Sequence, residues 1–320
     1  MPIKELDYTP PVYLRNSHLH TVYASFARSE LAVAGKLRER VDTPDGDFLD
    51  LDWYQHANDR LLIISHGLEG HSERPYVLGM TRQAVNQGWD VLAWNYRSCT
   101  GEPNRKLQSY HSGSTEDLDF LVKLAVKRGY KSISLCGFSI GGNKTLLYLT
   151  RDKAWVPDEV RAAVTFSVPI DLVATSKKLA KPLNRIYMRN FLTTLEEKLK
   201  QKKALYPEQI SLEGFSKIKT FEQFDGRYTA PLNGFESAID YWTKSSSVSH
   251  LTKLDVPTAL MTSLDDPFLT PSCFPKQVAE ENPNFHLMLT QYGGHVGFVT
   301  KGDDAYLSEQ QGITFLNEYT

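Results

Sequence analysis

The chain has 320 residues, 41% of them hydrophobic, and a formal net charge of −2. That is enough apolar material for one large α/β domain with an insertion, or for two domains, and it offers no basic field for nucleic acid. No run approaches the length of a membrane span, the opening residues lack the apolar core of a secretory signal, and three scattered cysteines (Cys99, Cys136, Cys273) without a C-x-x-C suit a reduced, cytoplasmic protein.

In chain order, residues 36–43 and 48–54 flank Pro44-Asp45-Gly46, a turn signal, and predict an antiparallel hairpin. Residues 60–65 read as a short buried strand, 75–87 as a helix stopped by Gly88, and 90–94 as the next strand. Ser114-Thr115-Glu116-Asp117 can cap a helix running to Arg128 and ended by Gly129. A strand over 133–136, a helix after it and a strand over 161–167 continue the alternation. The expected fold class is therefore α/β, a mostly parallel sheet with helices on both faces.

From residue 168 to about 250 the alternation stops. The stretch is too long for a bare loop, and a helical cap is expected there. The predicted division is thus a first core part over 1–167 that includes an N-terminal extension, a cap over 168–250, and a second core part over 251–320. In that last part 256–262 reads as a strand, 271–281 as a helix, 285–290 as a strand and 304–319 as a closing helix.

The most informative segment joins the strand at 133–136 to the helix behind it through Gly137-Phe138-Ser139-Ile140-Gly141. In a strand–turn–helix context, G-x-S-x-G is a nucleophile elbow, with the serine strained and exposed at a helix N-terminus. The bland alternative is a glycine-rich turn. A serine hydroxyl needs a base within hydrogen-bond reach, and His295 on the loop Gln291-Tyr-Gly-Gly-His-Val-Gly-Phe298 is the best candidate. Asp266 or its neighbour Asp265, following the strand at 257–262, offers the acid that would orient the imidazole, with Asp266 preferred. Ser139, Asp266 and His295 occur in the chain order of the α/β-hydrolases. Two backbone N–H donors are needed for an oxyanion. Ile140 and, from the His66-Gly67-Leu68-Glu69-Gly70 loop, Leu68 are the candidates.

Weaker signals accompany these. Gly67, His71, Tyr187 and Met188 are candidates for the substrate wall. His18 and His20, or His66 and His71, could suggest a metal, but no further ligand completes a set, and neither metal nor cofactor is expected. His66 reads better as orienting its loop, and Arg97 as an ion-pair partner or a substrate contact. Segment 176–204 carries nine Lys and Arg against Glu196 and Glu197. It reads as a solvated helix face or, alternatively, as a peripheral contact for an anionic surface.

Beyond the triad, the chain resembles the YheT-type branch of the α/β-hydrolases almost from end to end. The resemblance rests on Leu14-Arg-Asn-Ser-His-Leu-His-Thr21, Pro44-Asp-Gly-Asp-Phe-Leu-Asp-Leu-Asp-Trp53, His66-Gly-Leu-Glu-Gly70, Tyr110-His-Ser-Gly113, Gly137-Phe-Ser-Ile-Gly-Gly-Asn143, the stretch from Phe224 to Phe235, Asp265-Asp-Pro-Phe268 and Gly293-Gly-His-Val-Gly-Phe298. It implies a Ser139–Asp266–His295 triad and a serine esterase acting on short- to medium-chain or lipid esters, with acyl transfer to alcohols as the alternative. A non-enzymatic binding protein is the remaining one. There are two departures from the branch's usual pattern: Ser98 after Arg97, which touches the pocket wall, and Ile140 after the serine, which leaves the backbone donor in place.

Overall fold

The computed structural model describes residues 2–28, 31–151, 155–301 and 305–320. Its described strands form one nine-stranded sheet in the order β1-β9-β8-β7-β6-β4-β5-β3-β2. They are β1 (Ile3–Glu5), β2 (Lys36–Asp42), β3 (Phe48–Tyr54), β4 (Arg60–Ser65), β5 (Asp90–Trp94), β6 (Ser132–Phe138), β7 (Val160–Phe166), β8 (Thr258–Ser263) and β9 (Phe285–Thr290). The strands β4 to β9 run parallel, while β3 is antiparallel to both β2 and β5. Strands such as Leu-Leu-Ile-Ile in β4 carry apolar residues at successive positions because both faces of a parallel sheet are covered.

Helices α2 (Pro75–Asn86) and α11 (Leu307–Tyr319) cover one face, packing Val77, Met80, Ala84, Ile313 and Leu316 into one apolar layer. Helices α3 (Glu116–Lys127) and α4 (Ile140–Leu149) contribute Leu118, Leu121, Leu146 and Tyr148 to the layer on the other. Between β7 and β8 lie α5 (Leu172–Leu179), α6 (Arg185–Leu205), α7 (Phe221–Phe224), α8 (Ala230–Leu232) and α9 (Ala238–Ser245), with no strand among the described residues of the segment. The parallel α/β architecture expected from the alternation is the one observed.

Four details depart from the sequence expectations. Thr115 occupies the N-cap position of α3, but its hydroxyl accepts from Arg151 and makes no capping bond. The helix expected over 271–281 is split into a 3-10 turn, Pro271–Cys273, and α10 (Lys276–Glu281), because Pro275 lacks the N–H that would continue the ladder. The closing helix begins at Leu307, and residue 304, where it was expected to start, lies outside the described residues. Two N-terminal elements were not foreseen: β1, which pairs with β9, and α1 (Ser17–Phe26), whose Asn16 side chain accepts from the amides of His18 and Leu19 at 3.1 Å.

Within the inserted segment, residues 225–229 form a π-type turn between α7 and α8. Asp225 is buried there, accepting from Thr229 Oγ1 at 2.6 Å and Trp242 Nε1 at 2.8 Å. Burial dominates these bonds and pushes its carboxyl up to about 6. A folded-state value above the unfolded one means that the stabilisation is full below about pH 4 and is lost as the pH rises through 6. Asp225→Asn removes this dependence. Its urea-unfolding free energy, measured against wild type, is expected to shift in the variant's favour by about 3 kcal/mol between pH 4 and pH 7. Parallel pH curves for the two proteins would contradict the assignment.

Candidate active site

Ser139 sits between β6 and α4 with φ 53° and ψ −121°, outside the regions that L-residues occupy freely. Such a conformation costs roughly 1–3 kcal/mol and persists only where its surroundings impose it. Here its N–H donates to Phe166 O on β7 at 2.9 Å, and its carbonyl accepts from the Gly142 amide at 2.9 Å. The chains pass so closely that a Cβ on Gly137 would lie 2.6 Å from Gly141 O, and one on Gly141 would meet the carbonyls of Ser65 and His66. This is why glycines flank the serine.

His295 reaches the serine from the loop after β9. Its Nε2 is 2.9 Å from Ser139 Oγ and its Nδ1 is 2.9 Å from Asp266 Oδ2. With Nδ1–H donating to the Asp266 carboxylate, Nε2 is left as an acceptor for the serine hydroxyl. Asp266 is 1% exposed, and its other oxygen accepts from the Phe268 amide at 2.8 Å. The ring of Phe268 covers the imidazole at a centroid distance of 4.3 Å. Asp265, the alternative acid, faces elsewhere: Oδ1 accepts from the Gly294 amide at 2.9 Å, so it shapes the histidine loop and does not touch the imidazole.

That loop is strained. Val296 and Phe298 both have positive φ, 59° and 50°, an unusual state for a β-branched and a bulky residue. External contacts hold it. The His295 amide donates to Thr21 Oγ1 at 2.9 Å, the Val296 amide to Ser167 Oγ at 3.0 Å, and the Val299 amide to His20 Nε2 at 3.0 Å. Burial pulls His20 down to about 4, so its imidazole stays neutral and keeps an acceptor lone pair for that bond. Thr21, which the sequence reading did not isolate, and His20, which it weighed only as a metal ligand, both hold the His295 loop. Their signal was present in the Ser-His-Leu-His-Thr run, but the partner loop lies more than 270 residues away. His18 and His20 diverge, His18 turning to Tyr187 at 3.2 Å, and no group of three or more metal-ligating side chains occurs among the described residues.

The loop after β4 completes the surroundings of Ser139. A Cβ on Gly67 would be 3.4 Å from Ser139 Cβ, which places this backbone against the serine. The amides of Leu68 and Ile140 make no hydrogen bond among the described residues. Neighbouring groups fix the loop. His66 Nε2 accepts from the Tyr96 amide at 3.1 Å, leaving Nδ1–H for Gly67 O at 2.7 Å, and Gly67 N–H donates to Tyr76 Oη at 3.0 Å. Complete burial holds His66 well below its ordinary value, so it stays neutral. Glu69, at φ 54°, is gripped by the Tyr110 hydroxyl at 2.6 Å and by Lys198 of α6 at 2.9 Å.

Above Ser139 opens a cavity of about 560 Å³ whose wall includes Phe138, Leu172, Phe191, Phe221, Trp242 and Phe268. Of the four weaker candidates, Gly67 and Tyr187 line it. His71 and Met188 are not among its lining residues. His71 Nδ1 accepts from the Glu73 amide at 3.2 Å, and Met188 is packed into the apolar core. Arg97 is a structural ion-pair hub, bonded to Asp45, Asp47 and Asp117. The basic segment does not form one solvated face. Lys178 turns inward onto the carbonyls of Asp266 and Leu269, and Lys198 and Lys202, one helical turn apart, also point inward.

Residues 60–301 match the family model described as the alpha/beta hydrolase fold. The chain is 33% identical to YheT of Escherichia coli (strain K12), a protein with esterase in its name, over 92% of this chain and 87% of that one. It is 31% identical to phospholipase ABHD3 of Bos taurus over 93% of this chain and 74% of that one. Among solved structures it superposes on the Pyrococcus furiosus esterase Pf2001 with a TM-score of 0.61 at 17% identity, covering 91% of this chain and 92% of the other.

The contact between Thr21 and His295 yields a direct expectation. Thr21→Val removes the hydroxyl that accepts the His295 amide, and phosphonylation of Ser139 by a fluorophosphonate should slow by about tenfold. Thr21→Ser, which restores the hydroxyl, should recover the rate. Equal labelling rates for wild type and Thr21→Val would show that the loop holds without it.

Proposed function

The chain belongs to the α/β-hydrolase fold family, in its YheT-type branch, and is a hydrolase; from that premise we propose that it is a serine esterase that cleaves carboxylic esters through an acyl-enzyme. The observation that carries the reading is the unbroken chain Ser139 Oγ–His295–Asp266, with both links at 2.9 Å, opening into an apolar cavity.

Ser139 attacks the ester carbonyl as His295 Nε2 takes its proton. The negative oxygen of the tetrahedral intermediate is met by the Leu68 and Ile140 amides, and the N-terminus of α4 adds a favourable dipole. Collapse expels the alcohol, to which His295 returns the proton. Water then attacks the acyl-enzyme by the same steps in reverse. Asp266 keeps the imidazole in the required tautomer and stabilises its charged form.

The segment 168–250 acts as a cap on this site, and the acyl chain lies between it and the sheet edge, against Tyr187 and the backbone of Gly67. The free thiols of Cys99, Cys136 and Cys273 suit the reducing cytoplasm. No described helix is long and apolar enough to cross a membrane.

Hydrolysis of p-nitrophenyl esters from C2 to C16 tests the proposal. In wild type, kcat/KM should climb by up to about fourfold per added methylene through the medium-chain esters, as each one is buried, and then level or fall once the cavity is filled. Ser139→Ala should lose at least about 10⁴-fold at every length. Activity that persists in Ser139→Ala, or that is absent from wild type at all lengths, would overturn it.

A further inference from the structure

The solvent-facing side of α1 is more apolar than the side turned to the protein. Its inner positions are His20, Thr21 and Ala24, whereas Leu19, Val22, Tyr23 and Phe26 point outward with relative exposures of 59, 42, 41 and 72%. The spacing i, i+3, i+4, i+7 makes them one continuous stripe along the helix. The preceding turn adds Val12 and Tyr13, and the approach to α6 adds Leu183 and Ile186, 81 and 71% exposed. These two short segments hold eight of the fourteen large hydrophobic side chains that are strongly exposed among the described residues. They are neighbours, since His18 of α1 stacks on Tyr187 of α6 with ring centroids 5.8 Å apart. They also rim the cavity above Ser139, to which Val22, Phe26, Ile186 and Tyr187 contribute.

Charge gives the patch a sign. Residues 8–28 and 172–195 contain no Asp or Glu. Within them Arg15, Lys177, Lys181, Arg185 and Arg189 are exposed, and none forms an ion pair among the described residues. A contiguous apolar stripe with an unpaired cationic border is suited to lie in the headgroup region of a lipid layer, with aromatic and aliphatic side chains inserted and cations against anionic headgroups. A second copy of this chain fits less well, because a two-fold contact would set this border against itself.

We propose that α1 and the start of α6 form a docking face for an anionic lipid surface, which presents the cavity mouth directly to ester substrates held in that surface. This rests on the esterase reading and names the source of its substrate. Docking of this kind requires no spanning helix.

The test is flotation of the full chain with phosphatidylcholine vesicles, with and without about 30 mol% phosphatidylglycerol, alongside turnover of a soluble short-chain p-nitrophenyl ester. Wild type should float with the anionic vesicles and lose binding between about 50 and 500 mM salt. Leu19→Ser/Tyr23→Ser/Leu183→Ser, three positions outside the cavity lining, should weaken binding by at least about tenfold and leave soluble-ester turnover unchanged. Lys181→Glu/Arg185→Glu should remove the preference for anionic vesicles. Equal binding by wild type and the triple variant, no binding to either vesicle, or a dimer in sedimentation that the triple variant dissolves would each overturn the proposal. Loss of the esterase reading shows separately, as absent soluble-ester turnover in wild type that nevertheless floats.

Discussion

Contacts from outside pin the strained loop that carries His295. It opens with glycines at 293 and 294 and places Val296 and Phe298 at positive φ, an unfavourable state for such side chains. The imidazole, 2.9 Å from Ser139, is held by Asp266 at its Nδ1 and by side chains from other parts of the chain that bind the loop's amides. Thr21 and His20 come from α1, Ser167 from the end of β7, and Asp265 from the loop after β8. The strained serine is held by β7 and by the first turn of its own helix, so Ser139 and His295 are fixed by the sheet and α1 together. Apart from the bond inside the serine's own helix, every bond in this set joins residues remote in sequence. Through Thr21 and His20 the N-terminal extension thus holds the His295 loop, although the family match begins only at residue 60.

How much of this the sequence disclosed follows the same division. The parallel strands were legible because both of their faces are covered and their apolar runs are short and bounded by turns. The residues at 139 and 295 were legible because an elbow and a glycine-rich loop carry their own local constraints. The sequence favoured Asp266 but kept Asp265 open, since both lie at the same strand end and both accept hydrogen bonds from or beside the His295 loop. β1 is three residues long and exists only as a partner of β9. α1 has helical periodicity, but its apolar stripe points away from the core, so periodicity alone would orient it the wrong way round. Asp225 could not be foreseen as a perturbed acid, because its burial depends on helices that meet only after folding.

The lysines of the inserted segment show how a charge run can divide. On composition, nine cations against two carboxylates suggest a uniform basic face. Folding sends Lys178 to the carbonyls beside Asp266 and Lys198 to Glu69 on the loop beside Ser139. These are charge-assisted bonds in half-buried surroundings, worth more than surface pairs, and they tie the segment to the two loops that flank the serine. The cations left over, Arg185 and Arg189 among them, remain exposed on the outside.

The same helix therefore answers to two separate forces. On its inner side α1 is bound by directional hydrogen bonds to the His295 loop, each of which loses strength steeply with misalignment. On its outer side it forgoes the burial of four apolar side chains, at roughly 1.5–3 kcal/mol for each one that could be fully covered. A helix serving only to hold the loop would have no physical use for an apolar outer face, and polar residues there would be more soluble and equally helical. The inner bonds account for where α1 sits, and they leave the composition of its outer face unexplained. Only something that covers this face, at the rim of the cavity, would return the free energy that exposure withholds.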